Sequence, residues 1–115
     1  FEPRSNTARV KTLQTAFMQA LALADEVYIG AIDRPEKLRA EERLDPAAIV
    51  EQLAAQGLAG YYSPSNPALL ATLVANTLKA DQNGASKPRL VAFFTNGSFD
   101  GIIRGFVAAA KATAS

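Results

Sequence analysis

The sequence DPAAIVEQLAAQG, at positions 45–57, predicts the most clearly bounded helix of the chain. Asp45 is a favourable N-cap, Pro46 suits the first helical position, and Gly57 can end the helix in a left-handed conformation. The apolar stripe that such a helix packs against a core is supplied by Ile49, Val50 and Leu53. This segment therefore predicts an amphipathic helix, and the segments around it have a different pattern.

Short apolar runs on both sides of this helix predict strands. VYIGA at 27–31 and LAGYY at 58–62 are rich in the β-branched and aromatic residues that favour strands. LVAFF at 90–94 is a continuous apolar run, typical of a strand that is covered on both faces, and we expect it to lie centrally in the sheet. Helix and strand patterns thus alternate along the chain.

Three further helices complete this alternation. Apolar residues at three- and four-residue steps predict one helix over residues 7–24. Asn66 as the N-cap, with Pro67 at the first helical position, predicts the start of another. A last helix carries Ile102 and the apolar residues that follow it at helical spacing. Such an order predicts a single α/β domain over residues 1–115, doubly wound, with a mostly parallel sheet and helices on both faces. Ligands of such folds bind outside the carboxyl ends of the strands.

Composition narrows the possible chemistry. The 115 residues include 12 Lys and Arg against 11 Asp and Glu, a net charge of +1 that provides no basic surface for nucleic acid. Cys and His are both absent, which excludes disulfides, thiol nucleophiles, imidazole bases and the usual zinc sites. No apolar stretch approaches the ~20 residues of a membrane span, so we expect a soluble chain without a membrane or nucleic-acid partner. The composition is compatible with the cytoplasm.

The junction FEPRSNT at 1–7 follows an apparent strand end and leads into a helix. Arg4 carries a planar fork that can hold a carboxylate or a phosphate through two hydrogen bonds. Alternatively, Arg4 pairs with Glu2 or Asp100, and the polar residues after it only cap the helix. From composition alone, this second interpretation is favoured.

The junction TNGSFDG at 95–101 follows the third predicted strand. Glycines and small residues at such a position let backbone amides approach a ligand, to which Ser98 can add a hydroxyl. An ordinary turn capped by Ser98 or Asp100 explains the pattern about as well. No phosphate-loop, dinucleotide-binding or metalloprotease motif occurs in the chain.

Four segments together carry a resemblance to a known family. FEPRSNT at 1–7, ADEVY at 24–28, ERLDP at 42–46 and TNGSFDGI at 95–102 resemble the C-terminal domain of the Mur ligases, within that family the murein peptide ligases. The resemblance extends from the first residue to about Ala110. It implies a Rossmann-like domain that lacks its first strand and helix, because the family's domain begins before the opening heptad.

The resemblance also implies a function. Such enzymes are bacterial, cytoplasmic and three-domain, and they use ATP and Mg²⁺ to join a recovered murein tripeptide to UDP-N-acetylmuramate in peptidoglycan recycling. ATP and Mg²⁺ are bound mainly by the central domain, and the C-terminal domain orients the peptide and closes over the ATP site. The fragment alone is expected to be inactive. The alternative is a free-standing binding or signalling module.

The resemblance places the substrate-binding residues in the two junctions. Arg4 is expected to engage a carboxylate of the incoming peptide, with Gly97 offering an amide to another peptide oxygen. The full set of residues that it implies as substrate-binding is Arg4, Ser5, Asn6, Asn96, Gly97 and Ser98. No residue of the chain is implied to be catalytic or to bind a metal.

Overall fold

The computed structural model describes residues 1–3, 14–32, 36, 38–79, 89–95 and 97–114. Within them lie two strands and four α-helices, accompanied by short 3₁₀ and π turns. The strands are β1 (Glu26–Ile29) and β2 (Ala59–Tyr62). The helices are α1 (Gln14–Leu21), α2 (Pro46–Ala55), α3 (Asn66–Val74) and α4 (Ile102–Ala114). The chain is therefore an α/β protein, as its alternating patterns predict.

The two strands are parallel and are joined through α2. Glu26 is level with Ala59, and Ile29 is level with Tyr62. The N–H of Ser63 donates to the carbonyl of Ile29 at 3.2 Å, which continues the pairing just past β2. Residues 26–62 thus form a strand, helix and parallel strand, the arrangement that the sequence around α2 predicts.

Both ends of α2 are fixed by the residues expected to do so. The carboxylate of Asp45 accepts a hydrogen bond from the Ala48 N–H at 3.1 Å, and Pro46 begins the helix. At the other end, Gly57 has a φ of 80°, and the Leu58 N–H donates to the Leu53 carbonyl at 2.9 Å. This is the Schellman ending, which satisfies carbonyls that the helix leaves without partners.

Helices pack on both faces of β1. Val27 and Ile29 are buried in one apolar cluster with Ile49 and Leu53 of α2, and side chains of α1 pack against that cluster. On the opposite face, a second cluster consists of buried residues Leu69, Phe99 and Ile102, with Tyr28 packed against it. Side chains of one strand alternate between faces, so the same four residues contribute to both clusters. A three-layer packing surrounds β1.

The third predicted strand differs from the prediction. Residues 90–94 are not a strand in the described part of the chain, and their burial is one-sided. Val91 and Phe93 are half-buried, whereas Leu90 is 93% and Phe94 63% exposed. The Phe93 ring lies edge-on to Phe99 and Phe106, which covers only one side of this segment. The interpretation of LVAFF as covered on both faces was therefore wrong.

The start of α3 also differs in detail from the prediction. Ser65 is the N-cap and its hydroxyl accepts from the Ala68 N–H at 3.3 Å, while Asn66 is already helical. The Asn66 side chain is instead turned to β1, where its oxygen accepts from the Ala31 N–H at 3.0 Å. The predicted start of α1 at residues 7–13 lies outside the described residues. Among the described helices, none is long and apolar enough to cross a membrane.

Candidate ligand site at the carboxyl ends of the strands

Residues 1–3 connect β1 to the segment at 90–95. The Phe1 nitrogen donates to the Tyr28 carbonyl at 2.8 Å, and the Gly30 N–H donates to the Phe1 carbonyl at 2.9 Å. On the other side, the Glu2 N–H donates to the Phe94 carbonyl at 3.0 Å. Residues 1–3 are therefore held between two neighbours, in the same direction as β1.

These bonds bring together the two junctions that the sequence marks as candidate sites. Residues 1–3, which begin FEPRSNT, lie beside Thr95, which begins TNGSFDG, although 93 positions separate Glu2 from Thr95. Of the predicted site residues, Arg4, Ser5, Asn6 and Asn96 lie outside the described residues. Gly97 and Ser98 are described, and both are exposed at this edge.

The contact between the junctions is made by a buried carboxylate. Glu2 is only 6% exposed, and its carboxylate accepts a hydrogen bond from the Thr95 hydroxyl at 2.5 Å. The Thr95 oxygen in turn accepts from the Gly97 N–H at 3.0 Å. A carboxylate can only accept hydrogen bonds, so the single hydroxyl proton of Thr95 is donated to Glu2. The Thr95 oxygen can therefore act only as an acceptor toward the Gly97 N–H. We call these three residues the Glu2–Thr95–Gly97 chain.

This arrangement bears on the expected roles of Gly97 and Ser98. The Gly97 N–H, expected to be offered to a ligand, is engaged by Thr95 in this structure. Ser98 precedes the 3₁₀ turn Phe99–Gly101, and its side chain makes no capping hydrogen bond. Its carbonyl accepts from the Gly101 N–H at 3.1 Å. Ser98 therefore occupies the N-cap position of this turn without capping it through its side chain, and its exposed hydroxyl can serve another acceptor or donor.

The turn after Ser98 has an unusual backbone. Phe99, Asp100 and Gly101 have φ values of 52°, 57° and 80°, so three consecutive residues are left-handed. Only glycine adopts this region without a steric cost, which is roughly 1–2 kcal/mol for another residue. The Phe99 side chain is 1% exposed, so its burial helps to hold the turn. Asp100 is exposed and lies within the turn rather than at its cap.

Gly30, just after β1, lets the Phe99 ring approach the strand. A Cβ at Gly30 would lie 2.5 Å from Phe99 Cε1 and 2.7 Å from Asn66 Oδ1, both closer than Cβ atoms approach such neighbours in proteins. The Asn66 oxygen is fixed by its bond from the Ala31 N–H, so neither neighbour can easily yield. The carboxyl end of β1 is thus shaped by close contacts of α3 and the 99–101 turn.

Two titratable groups that contact or belong to β1 are perturbed by burial: the Phe1 amino group, and the Tyr28 hydroxyl, which bonds to Glu26 at the start of the strand. Where Phe1 is the free amino terminus, desolvation lowers the pKa of its amino group to about 6, and the nearby Glu2 charge opposes the shift only in part. Desolvation also raises the pKa of the Tyr28 hydroxyl, with a further contribution from its 2.7 Å bond to the Glu26 carboxylate. Tyr28 stacks on Tyr61, with ring centroids 4.8 Å apart, so its role is in packing.

The described residues contain no group of three carboxylate, Cys or His side chains that could hold a metal ion. This part of the chain thus presents no such cluster of ligands to Mg²⁺. What the edge offers is a buried carboxylate, hydroxyls and backbone amides. Groups of this chemical kind are able to orient a polar ligand by hydrogen bonds.

Sequence reasoning missed the part played by Glu2 and Thr95. The sequence pattern indicates Glu2 only as an alternative partner for Arg4, and Thr95 only as the start of a turn. A buried acid followed by proline at a strand end gave no signal of its partner, because that partner lies far along the chain. Comparison with known proteins finds no matching family model, curated protein or solved structure.

Proposed function

We propose that this chain is the C-terminal domain of a Mur-type ligase, with a doubly wound, Rossmann-like fold. In the complete bacterial, cytoplasmic enzyme it orients a murein tripeptide for attachment to UDP-N-acetylmuramate during peptidoglycan recycling. ATP and Mg²⁺ are held mainly by a central domain, over which this domain closes. Its partners are the N-terminal and central domains of the same polypeptide.

One observation carries this proposal. The Thr95 hydroxyl donates to the buried Glu2 carboxylate, which places the two motif-bearing junctions next to each other at the carboxyl ends of the strands. A peptide with several carboxylates needs donors that converge from more than one loop. The helices packed on both faces of β1 give further support to the doubly wound architecture.

The first test uses the complete ligase polypeptide that contains this domain. We expect Arg4→Ala to raise the KM for the tripeptide about tenfold or more, because a charge-assisted bidentate pair is lost, while the KM for UDP-N-acetylmuramate changes little. Arg4→Lys should restore only part of the loss, since lysine cannot form both bonds. Lys111→Ala on α4 is a matched loss of one exposed cation. Unchanged kinetics of Arg4→Ala would refute the role of Arg4.

A second test uses the 115-residue chain alone. Titration of the ¹⁵N-labelled chain with the tripeptide should shift the amide resonances of Gly97 and Ser98 more than those of α2. A tripeptide whose carboxylates are amidated is the control, and it should leave these resonances in place. Equal effects of the two peptides would show that carboxylate recognition is not what this edge provides.

A further inference from the structure

The exposed residues Gly97 and Ser98 lie between two buried anchors. On their amino-terminal side, the Thr95 hydroxyl is bonded to the Glu2 carboxylate, which is 6% exposed. On their carboxyl-terminal side, the Phe99 side chain is 1% exposed and packs with buried side chains of α3 and α4. The short stretch that carries two of the expected ligand contacts is therefore held from both ends.

The second anchor depends on a strained backbone. Phe99, Asp100 and Gly101 all have positive φ values, and only the glycine adopts them without a steric cost. The combined cost at Phe99 and Asp100 is of the same order as the stabilisation from burying one phenylalanine side chain. A conformation of this kind persists only where the surrounding structure holds it.

The hydrogen bonds of the turn do not select its handedness. The Gly101 N–H donates to the Ser98 carbonyl at 3.1 Å, across two central residues, Phe99 and Asp100, that have the φ signs of a type I′ turn. The mirror-image type I turn has the same hydrogen bond and suits most residues without strain. Since the Ser98 side chain makes no capping bond, the left-handed form must be selected by side-chain burial.

The Phe99 ring supplies that burial at the end of β1. It fills the space that a side chain at Gly30 would need, because a Cβ there would lie 2.5 Å from its Cε1 and 2.9 Å from its Cζ. Phe93 lies edge-on to the same ring, with centroids 6.4 Å apart. The Gly30 N–H is itself fixed by the Phe1 carbonyl at 2.9 Å. The ring therefore packs against a rigid part of the strand end.

We propose that Phe99 is a positioning residue of the candidate site. Its ring, seated against Gly30, selects the left-handed turn and so keeps the Gly97 N–H and the Ser98 hydroxyl in place for a ligand carboxylate. When the turn leaves this conformation, the apparent Kd rises in inverse proportion to the fraction of chains that remain competent to bind. The inference rests on the proposed function, which supplies the tripeptide as the ligand.

The first measurement needs no ligand. A residue with φ near +60° has its amide and α protons closer together than one with a negative φ, so their nuclear Overhauser effect in Asp100 reports the turn. Phe99→Leu should weaken this effect by about half or more, because the left-handed population falls. Ile49→Val removes one methylene from a fully buried side chain on the other face of β1, and it should leave the effect unchanged. An unchanged effect in Phe99→Leu would overturn the proposal.

The second measurement is a titration of the same chains with the tripeptide. We expect Phe99→Leu to raise the Kd about fivefold to tenfold, and Ile49→Val to change it less than about twofold. Gly30→Ala crowds the same ring from β1 and should act like Phe99→Leu, so it decides the question even if Phe99→Leu does not fold. Equal Kd values for Ile49→Val and the variants around the ring would refute the positioning role.

A rescue variant separates positioning from lost packing. In the Phe99→Leu background, Asp100→Gly should recover part of the lost affinity, because glycine adopts a positive φ without a steric cost. Asp100→Asn removes the same charge but keeps a side chain, and it should recover less. Equal recovery by the two substitutions would show that the charge of Asp100 matters rather than the turn, and would contradict the proposal.

Failure of the proposed function has a different outcome. If the unaltered chain binds the tripeptide no better than the amidated tripeptide, the proposed function is refuted, and the role of the turn in binding with it. If the unaltered chain prefers the tripeptide and Phe99→Leu keeps its full affinity, the positioning role alone is refuted.

Discussion

The hydrogen bond between Thr95 and Glu2 can be tested by removing its donor alone. Thr95→Val replaces the hydroxyl by a methyl group of similar size and leaves the Glu2 carboxylate, which is 6% exposed, without this partner. A hydrogen bond to a charged group contributes about 1.5–3 kcal/mol, and a buried group that loses its partner is at the upper end of that range. We therefore expect Thr95→Val to lower the free energy of unfolding by about 2–3 kcal/mol.

The Gly97 N–H adds little to this loss. It also loses its acceptor in Thr95→Val, but Gly97 is exposed, so water can take the place of the Thr95 oxygen. Thr95→Ser keeps the hydroxyl and is the matched control, with an expected loss below about 1 kcal/mol from the missing methyl group. The assay is equilibrium urea unfolding of the 115-residue chain, followed by circular dichroism.

A double-mutant cycle isolates the pair. If the Thr95 effect acts through Glu2, then Thr95→Val should cost about 1 kcal/mol or less in a Glu2→Gln background, because no buried charge then remains without its donor. The reasoning would be refuted if Thr95→Val and Thr95→Ser were equally stable. It would also be refuted by additive effects of the two substitutions, since the residues would then not be coupled.

Three further predictions concern the fold around the site. Gly30→Ala should cost about 2 kcal/mol in urea unfolding, because its Cβ would overlap the buried Phe99 ring, and an unchanged midpoint would contradict that contact. Asp45→Ala should cost about 1 kcal/mol through loss of the α2 cap, whereas Asp45→Ser should be nearly neutral; equal losses would exclude the cap. With Phe1 as the free amino terminus, stability should fall by about 2 kcal/mol from pH 8 to pH 6. Between these pH values the unfolded chain binds a proton at the amino group that the folded chain does not. An N-acetylated chain should therefore lack this pH dependence of stability.

The sequence predicted those elements whose signals are local. The ends of α2 follow from Asp45, Pro46 and Gly57, each of which acts on neighbours within a few positions. The parallel pairing of β1 and β2 follows as well, since one helix connects them. The cap of α3 was assigned one residue late, because Ser65 and Asn66 are both good caps and only the contact of Asn66 with Ala31 decides between them.

Features that depend on distant neighbours could not be predicted in this way. The apolar run at 90–94 indicates which side chains prefer burial, but not whether a neighbour covers each face. Leu90 and Phe94 remain exposed because the described chain covers only the side of Phe93. The bond between Thr95 and Glu2 has no local signal for the same reason, since it joins residues from opposite ends of the sequence.

The Glu2–Thr95–Gly97 chain has a consequence for any oxygen-bearing ligand that approaches Gly97. The Thr95 oxygen already accepts the hydrogen bond of the Gly97 N–H, so it competes with any ligand oxygen for that donor. Exchanging one neutral acceptor for another changes the free energy by no more than about 1 kcal/mol. A carboxylate, which accepts more strongly than a hydroxyl, gains from the exchange, whereas a ligand hydroxyl or water does not. The Thr95 oxygen would therefore make the Gly97 N–H selective for a ligand carboxylate over a ligand hydroxyl or water.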